Sequence, residues 1–259
     1  MKILKMKKIL LIGSGNIATH LALKMNRQEY QISQVFSRNL AEAKFLANKI
    51  ECDWTVDPKK IKEADITIIA VNDDSIQTII KILPKKPTVH TSGSTSIDVF
   101  KGHFIDYGVL YPLQTFNKDL DINLEKVPFF IEANNQVFEK ELYKLASSFS
   151  QDITILDSLK RQQLHIAAVF ACNFGNHMLV IAKELIEKED LSYSLLVPLI
   201  KQSLSKIDYL NPKEAQTGPA IRNDNKIISE HIKSIKEDDL RQLYSLISKS
   251  IIKTHGTSN

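Results

Sequence analysis

Glycine is scarce in this chain: 8 residues in 259, against the roughly 7% usual in proteins. Each one that remains is therefore a candidate for a backbone demand that other residues meet badly. Two cysteines, Cys52 and Cys172, cannot build a disulfide framework, and their apolar sequence surroundings point to a reducing, cytoplasmic setting. Arginine is nearly as rare, with only Arg27, Arg38, Arg161, Arg222 and Arg241 among 34 basic residues. The lysines alternate with Glu and Asp, as on a solvated face, and no basic stripe interleaves with aromatics. The net charge of +4 therefore does not imply a nucleic-acid partner. Nor is a metal site expected. The opening Met1–Lys8 is basic and runs into a strand-like segment without an apolar signal core, so no secretory leader is expected there.

One long uncharged run is present. His165 to Ala182 approaches the length of a membrane span. It carries His165, Asn173, Gly175, Asn176 and His177, which would be costly in hydrocarbon, so the expectation is a buried helix and no membrane partner. With 43% hydrophobic and 25% charged residues, the composition is that of a soluble globular protein, and the length suits two modest domains.

The first part alternates strand and helix patterns. Apolar or β-branched runs at 8–13, 32–37, 65–71, 88–91, 109–112, 128–132 and 153–156 read as strands, with helices at 16–25, 41–50, 74–83 and 137–149. Past Asp157 the strands stop, and helices are expected at 158–187, 191–207, 224–235 and 238–252. The fold class is α/β: a Rossmann-like, doubly wound, mainly parallel sheet in 1–156, followed by an all-α domain in 157–259.

Gly13-Ser14-Gly15-Asn16-Ile17-Ala18 closes the first strand and opens the first helix, the G-x-G-x-x-A form of the dinucleotide fingerprint. Gly13 suits the tight turn, Gly15 the approach of a pyrophosphate, and Ala18 close helix–strand packing. About 20 residues on, where NAD-binding chains place a carboxylate, the chain reads Ser37-Arg38-Asn39. A guanidinium and a hydroxyl accept a 2′-phosphate that a carboxylate would repel, so the expected cofactor is NADP. Val71 and Asn72 are placed to line the cofactor by backbone contact, while Asp73 or Asp74 is expected to cap the next helix. Ser92, Gly93 and Ser94 lie at a strand's C-terminal end, where this fold receives ligands. His90 beside them is expected to pack within its strand.

In the helical half, His165, Val169, Cys172 and Asn176 share one stripe at about 100° per residue, with Asn173 at its margin. Such a stripe enters a hydrogen-bond network or faces a ligand. His165 is the candidate acid, Asn173 the orienting donor, and Asn176 and Ser94 candidate substrate contacts. In Thr217-Gly218-Pro219-Ala220-Ile221-Arg222-Asn223-Asp224 a rigid turn precedes a helix that Asp224 is placed to cap. Arg222 can clamp a substrate carboxylate or pair with Asp224 to fasten the turn; the sequence leaves both open.

Taken together, the fingerprint, Ser37-Arg38-Asn39, the 90–94 segment, Tyr111-Pro112-Leu113-Gln114-Thr115-Phe116, the His165–Asn173 helix and the 217–224 turn resemble one family. It is a bacterial group of NADP-dependent oxidoreductases with a Rossmann-like N-terminal domain and a helical domain of unknown function. Pyrroline-5-carboxylate reductase, prephenate dehydrogenase and the 6-phosphogluconate and 3-hydroxyisobutyrate dehydrogenases are its wider relatives. The resemblance implies hydride transfer to or from a small polar metabolite in an interdomain cleft, and a homodimer joined through the helical domain. The hydroxyacid-dehydrogenase relatives carry a lysine and an asparagine one helical turn apart on the first long helix. Here Asn173 is preceded four residues earlier by Val169. That departure points away from β-hydroxyacid oxidation and leaves imine or carbonyl reduction open. A non-catalytic NADP-binding sensor is the competing reading from another class, and hydride exchange with a deazaflavin a third.

Overall fold

The computed structural model describes residues 6–25 and 30–256. The N-terminal expectation for Met1–Lys8 thus falls mostly outside the described residues. The chain divides into two compact units, 1–177 and 178–259.

The first unit is built on β1 (Lys7–Ile12), α1 (Asn16–Met25), β2 (Tyr30–Phe36), α2 (Leu40–Ile50) and β3 (Asp53–Thr55). It continues through β4 (Ile66–Ile69), α3 (Asp73–Ile79), β5 (Thr88–His90), β6 (Tyr107–Pro112), β7 (Phe129–Ala133), α4 (Gln136–Ser147) and β8 (Ile153–Ile155). The eight strands form one sheet in the order β3-β2-β1-β4-β5-β6-β7-β8, parallel throughout except for the antiparallel β6–β7 pair. Its first six positions have the doubly wound order of dinucleotide-binding sheets, and the direction of winding reverses between β1 and β4. Strand β3 has no counterpart among the expected strands. Three residues, two of them exposed, carry too little pattern to announce an edge strand.

The parallel strands are apolar on both faces because both are covered. Ile9, Leu11, Ile66 and Ile68 face a core completed by Leu21 and Met25 of α1, Leu46 and Ile50 of α2, and Phe138 and Leu142 of α4. The alternate residues Leu10, Ile12 and Ile69 face Ile76 and Ile79 of α3 together with Phe100 and Phe104. Helix α3 begins after Asn72, which is its N-cap position, so Asp73 and Asp74 occupy the first turn rather than the cap itself. There their carboxylates meet the positive end of the helix dipole.

After the sheet comes α5 (Ser158–Ala168), then a π-helical segment at Val169–Phe174, then α6 (Gly175–Glu187). The chain's pattern changes after residue 156, where the sheet stops, yet the first unit runs on to His177. Arg161 ties the start of this segment to the sheet. Its side chain is only 1% exposed and forms an ion pair with Glu132 of β7. It also donates to the Thr95 carbonyl at 2.6 Å and to Ser158 Oγ at 3.1 Å, fastening α5 to the sheet.

The helix expected to be buried is largely not. Ile166, Phe170, Phe174, Val180 and Leu185 are exposed within this chain. At 158–187 this is one helix long and apolar enough to cross a membrane, with a mean hydropathy of 1.5. Cys172 lies on it and is exposed, while Cys52 is half-buried; both are free thiols.

The second unit continues with α7 (Val197–Ser205), α8 (Pro212–Ala215), α9 (Asn225–Ser234) and α10 (Asp238–His255). Asp224 caps α9, its carboxylate accepting from the Ile227 N–H. His231 of α9 and Tyr244 of α10 are joined by a 2.8 Å hydrogen bond. The short α8 was not apparent from the sequence pattern; Asn211 and Glu214 form a capping box around a single turn.

A buried guanidinium left without its carboxylate is costly, so Glu132→Ala should lower the unfolding free energy by about 3–5 kcal/mol. Denaturant titration followed by circular dichroism checks this; a loss under 1 kcal/mol would mean the pair does not hold α5.

Candidate active site

At the C-terminal ends of β1, β2 and β4 lies an open cleft of about 980 Å³. Gly13, Ser14, Gly15, Asn16 and Ile17 line it from the first turn and α1. Ser37, Arg38 and Asn39 line it after β2, and Val71 and Asn72 after β4. The sequence thus identified ten residues that fold into one wall system. Gly13 has φ of +116°, and a Cβ there would come within 2.2 Å of the Ala70 carbonyl oxygen, so no side chain fits. At Gly15 a Cβ would meet nothing within 4 Å; it would project into open space. The first turn of α1 has no acidic residue, which leaves the helix N-terminus suited to phosphate.

At the far end, Arg38 Nη2 donates to Ser75 Oγ of α3 at 3.1 Å, and Ser14 Oγ donates to Ser37 Oγ at 2.8 Å. Glu42 of α2 also lines the cleft, within 3.3 Å of Ser14 Oγ, and its charge is countered by Lys118 Nζ at 3.2 Å. Asp74 in the first turn of α3 lines it too, as do Gln114 and Phe116 from the segment after β6. The latter two lie within the Tyr111–Phe116 motif, but nothing in their spacing singled them out. An extended dinucleotide with a 2′-phosphate fits these residues: a turn that admits the backbone closely, helix-end N–H groups, and a guanidinium where the adenosine ribose is expected.

Ser92 and Gly93 do not line this cleft. They belong to a second cluster, at the C-terminal ends of β5 and β6, with His165 of α5 and Tyr111 of β6. Tyr111 Oη lies 3.0 Å from His165 Nδ1, the two rings edge to face with centroids 6.0 Å apart. Gly93 packs against both: a Cβ there would stand 2.7 Å from His165 Nδ1 and 2.8 Å from Tyr111 Cζ. The loop is pinned on either side. His90 Nδ1 accepts from the Ser92 N–H at 3.2 Å, Ser92 Oγ accepts from the Ser94 and Thr95 N–H groups, and Arg161 holds the Thr95 carbonyl. His90 is fully buried against Phe100, and burial lowers its pKa to about 3 with the nearby Arg161 guanidinium adding to the effect. It is a neutral strand residue, as its sequence setting implied.

Burial pushes the Tyr111 hydroxyl up to about 12; Arg161 acts in the opposite sense and Asp73 adds to the rise. Tyr111 was not among the sequence candidates. A tyrosine in an apolar strand run reads as core, and only the fold shows it reaching a histidine 54 residues later.

The π segment changes the helical stripe. In a regular α-helix Asn173 would stand about 80° round from His165. The i→i+5 winding of Val169–Phe174 takes up roughly one additional residue, which swings Asn173 back toward the His165 line and turns Cys172 and Asn176 away from it. Asn173 and Asn176 are both exposed. Ser94 is exposed at the edge of the pinned loop. Arg222, in the second unit, is exposed and makes no ion pair among the described residues, so it does not fasten the turn through Asp224.

The fold and cleft define a dinucleotide-dependent oxidoreductase. Residues 8–99 match a family described as "NADP oxidoreductase coenzyme F420-dependent", and residues 127–251 match a domain of unknown function, DUF2520. A solved structure from Bacteroides fragilis, described as a "putative NADP oxidoreductase", is 39% identical, with 96% of this chain and 99% of that one covered and a TM-score of 0.89. The chain belongs to this family of two-part NADP-dependent oxidoreductases.

More distant likenesses concern the fold alone. They include 1-pyrroline-5-carboxylate reductase from Streptococcus pyogenes (13% identity, 96% and 98% covered, TM-score 0.64). An imine reductase from Myxococcus stipitatus in complex with NADP+ shares 15% identity over 95% and 92% of the two chains, with a TM-score of 0.61. Glutamyl-tRNA reductase of Methanosphaera stadtmanae is 25% identical over 249 residues, 88% of this chain; the match spans 60% of the length of that curated relative.

The cofactor is NADP(H), and Arg38 is the residue from which a preference over NAD(H) is expected. Arg38→Ala should weaken NADPH binding by about 1.5–3 kcal/mol, as for a charge-assisted hydrogen bond, and leave NADH nearly unaffected. Fluorescence titration of both cofactors reads this directly, and equal affinities in the unmutated protein would refute it.

Proposed function

We propose that the protein is a reductase that delivers hydride from NADPH to a carbonyl or imine carbon of a small polar metabolite. The observation that carries this reading is the Tyr111–His165 pair beneath the Gly93 loop. It lies at the C-terminal ends of β5 and β6, next along the sheet from the β1–β4 switch point where the cofactor cleft opens. Bound NADPH would be held by the residues at 13–17, 37–39 and 71–72, and would supply the hydride. As hydride reaches the substrate carbon, negative charge develops on the heteroatom. A proton donor must meet it. His165 is half-buried and presents an imidazole whose Nδ1 is engaged, leaving Nε2 for the substrate; Asn173 is a neutral orienting donor on the same helix. Ser92 and Gly93 would bound the nicotinamide side, while Ser94, Asn176 and Arg222 are the proposed substrate contacts.

In this reading residues 1–156 bind NADP, and residues 157–259 form the helical part that serves substrate binding and dimerisation. A homodimer would cover the exposed apolar residues of the helical segments, among them Phe170, Phe174, Leu195 and Leu199, and would account for the uncovered face of the 158–187 helix without a membrane. The expected location is the cytoplasm. The description of the N-terminal family favours one second reading, in which a deazaflavin of the coenzyme F420 type takes the place of the small metabolite.

NADPH oxidation by the purified protein, assayed against keto acids, cyclic imines, aldehydes and oxidised coenzyme F420, should identify a carbonyl or imine substrate. His165→Ala should lower kcat on it about 10²–10⁴-fold with NADPH affinity nearly unchanged. Failure of every compound, alongside tight NADPH binding, would favour a non-catalytic NADP sensor. Light scattering at micromolar concentration should give twice the 29.4 kDa chain mass; a monomer would refute the dimer.

A further inference from the structure

We propose that Tyr111 is the positioning residue that sets His165 in its Nε2-protonated tautomer and gives Nδ1 a proton as Nε2 releases its own. The inference rests on the reading of His165 as the proton donor.

The 3.0 Å contact between Tyr111 Oη and His165 Nδ1 can run in either direction. Two features choose the direction. An imidazole nitrogen is a much stronger base than a phenol oxygen, so the neutral pair is more stable with the phenol donating. Burial raises the Tyr111 hydroxyl toward about 12, which keeps it protonated and able to donate across the neutral and alkaline range. With Nδ1 accepting, the single proton of a neutral His165 must lie on Nε2. Gly93 enforces the contact sterically. Its missing Cβ is what lets the loop lie across Nδ1 and the phenol ring, shielding the bond from that side.

The consequence is a balanced proton path. A neutral imidazole that simply lost its Nε2 proton would become a very basic anion, which is prohibitive near neutral pH. With Tyr111 behind it, the Nε2–H bond breaks toward the substrate heteroatom while the phenol O–H breaks toward Nδ1. The imidazole stays neutral throughout, and the charge arrives on Tyr111 as phenolate. The electron pair of the former C=O or C=N bond takes the proton, the carbon having received hydride from the reduced nicotinamide cofactor. The pair is reset when solvent delivers a proton to Nε2 and the Nδ1 proton returns to the phenolate, which leaves His165 Nε2-protonated and Tyr111 neutral. The charged and titratable groups around Tyr111 are Arg161 and His165 on α5, Asp73 on α3, Glu132 on β7, paired with Arg161, and neutral His90 on β5. Of these, the Arg161 guanidinium favours the transient phenolate and Asp73 opposes it.

Nitrogen-15 NMR of histidine-labelled protein, with His165 assigned by its loss in His165→Gln, tests the tautomer in the chain without cofactor. Wild type should show His165 with Nε2 protonated and Nδ1 accepting a hydrogen bond, and Tyr111→Phe should show a mixture of both neutral tautomers. A protonated Nδ1 in wild type overturns the proposal even where the variant fails to fold, as does an unchanged spectrum in a folded Tyr111→Phe. On the most active compound of the assay above, wild-type kcat should be nearly flat from neutral to alkaline pH. Tyr111→Phe should lose about tenfold per pH unit on the alkaline side, because only the imidazolium then has a proton to give. A lost rate in His165→Ala with an unaltered profile in Tyr111→Phe refutes the role of Tyr111 and leaves His165 as donor. An unaltered rate in His165→Ala removes the underlying reading instead.

Discussion

A guanidinium cannot be buried alone, and Arg161 is buried. Its Nη groups go to the Glu132 carboxylate on β7, the Thr95 carbonyl in the loop after β5, and Ser158 in its own helix, while its buried Nε has no hydrogen-bond partner among the described residues. Those partners come from three parts of the chain, so the pairing requirement of one side chain fixes where the first helix beyond the sheet must lie. His165 follows four residues later, one helical turn on, and therefore shares the face of α5 that Arg161 presents to the sheet. The same guanidinium that anchors the helix holds one side of the loop whose Gly93 covers the histidine. The placement of His165, the proposed proton donor, thus follows from the pairing of a buried charge one helical turn earlier.

The two polar regions of the first unit differ in kind. In the cofactor cleft the key cation, Arg38, is exposed and bonded only to a serine hydroxyl, so it can meet a phosphate without first breaking an ion pair. Two acidic residues line the cleft: Glu42, which has Lys118 beside it, and Asp74 in the first turn of α3. At the Tyr111–His165 pair the pattern is reversed. The nearby arginine is committed to Glu132, the nearby histidine is held neutral by burial, and what remains uncommitted is a chain of neutral donors. In the proposed reading charge recognition serves the cofactor and proton handling the substrate, a division that suits hydride transfer, in which the cofactor is bound throughout and the charge on the substrate is transient.

Much of this was legible in the sequence. The glycine fingerprint, Ser37-Arg38-Asn39 and Val71-Asn72 form one cleft, because each sits at the end of a strand whose pattern was unambiguous, and parallel strands bring their C-terminal ends to one edge. His165 also stood out as a polar residue in an apolar helix. Tyr111 and Arg161 did not, since their roles depend on partners far along the chain: Tyr111 on His165, and Arg161 on Glu132 and Thr95. Local periodicity reports which face of an element leaves water, and says nothing about which distant group meets it. The same limit applies to the division of the chain. The change of pattern after residue 156 marks the last strand, whereas the compact unit extends to His177; the ion pair that ties α5 to the sheet is contained in no local pattern.

The 158–187 helix shows the limit most sharply. Its hydropathy correctly signals a face that avoids water, and the expectation of burial within the chain follows if one chain is all there is. In the structure that face is uncovered, while the opposite demand, a polar group held against the sheet, is met at Arg161 and His165. A regular α-helix would keep the His165 and Asn173 directions about 80° apart; the π turn between them brings the two polar groups toward one side and leaves Phe170 and Phe174, in edge-to-face contact, on the exposed surface. π turns are less stable than the α-helical winding they interrupt and recur at functional sites. Here the departure from regular winding has a definable result: a single helix is sorted into a polar side, with His165 and Asn173, and a side of exposed apolar rings.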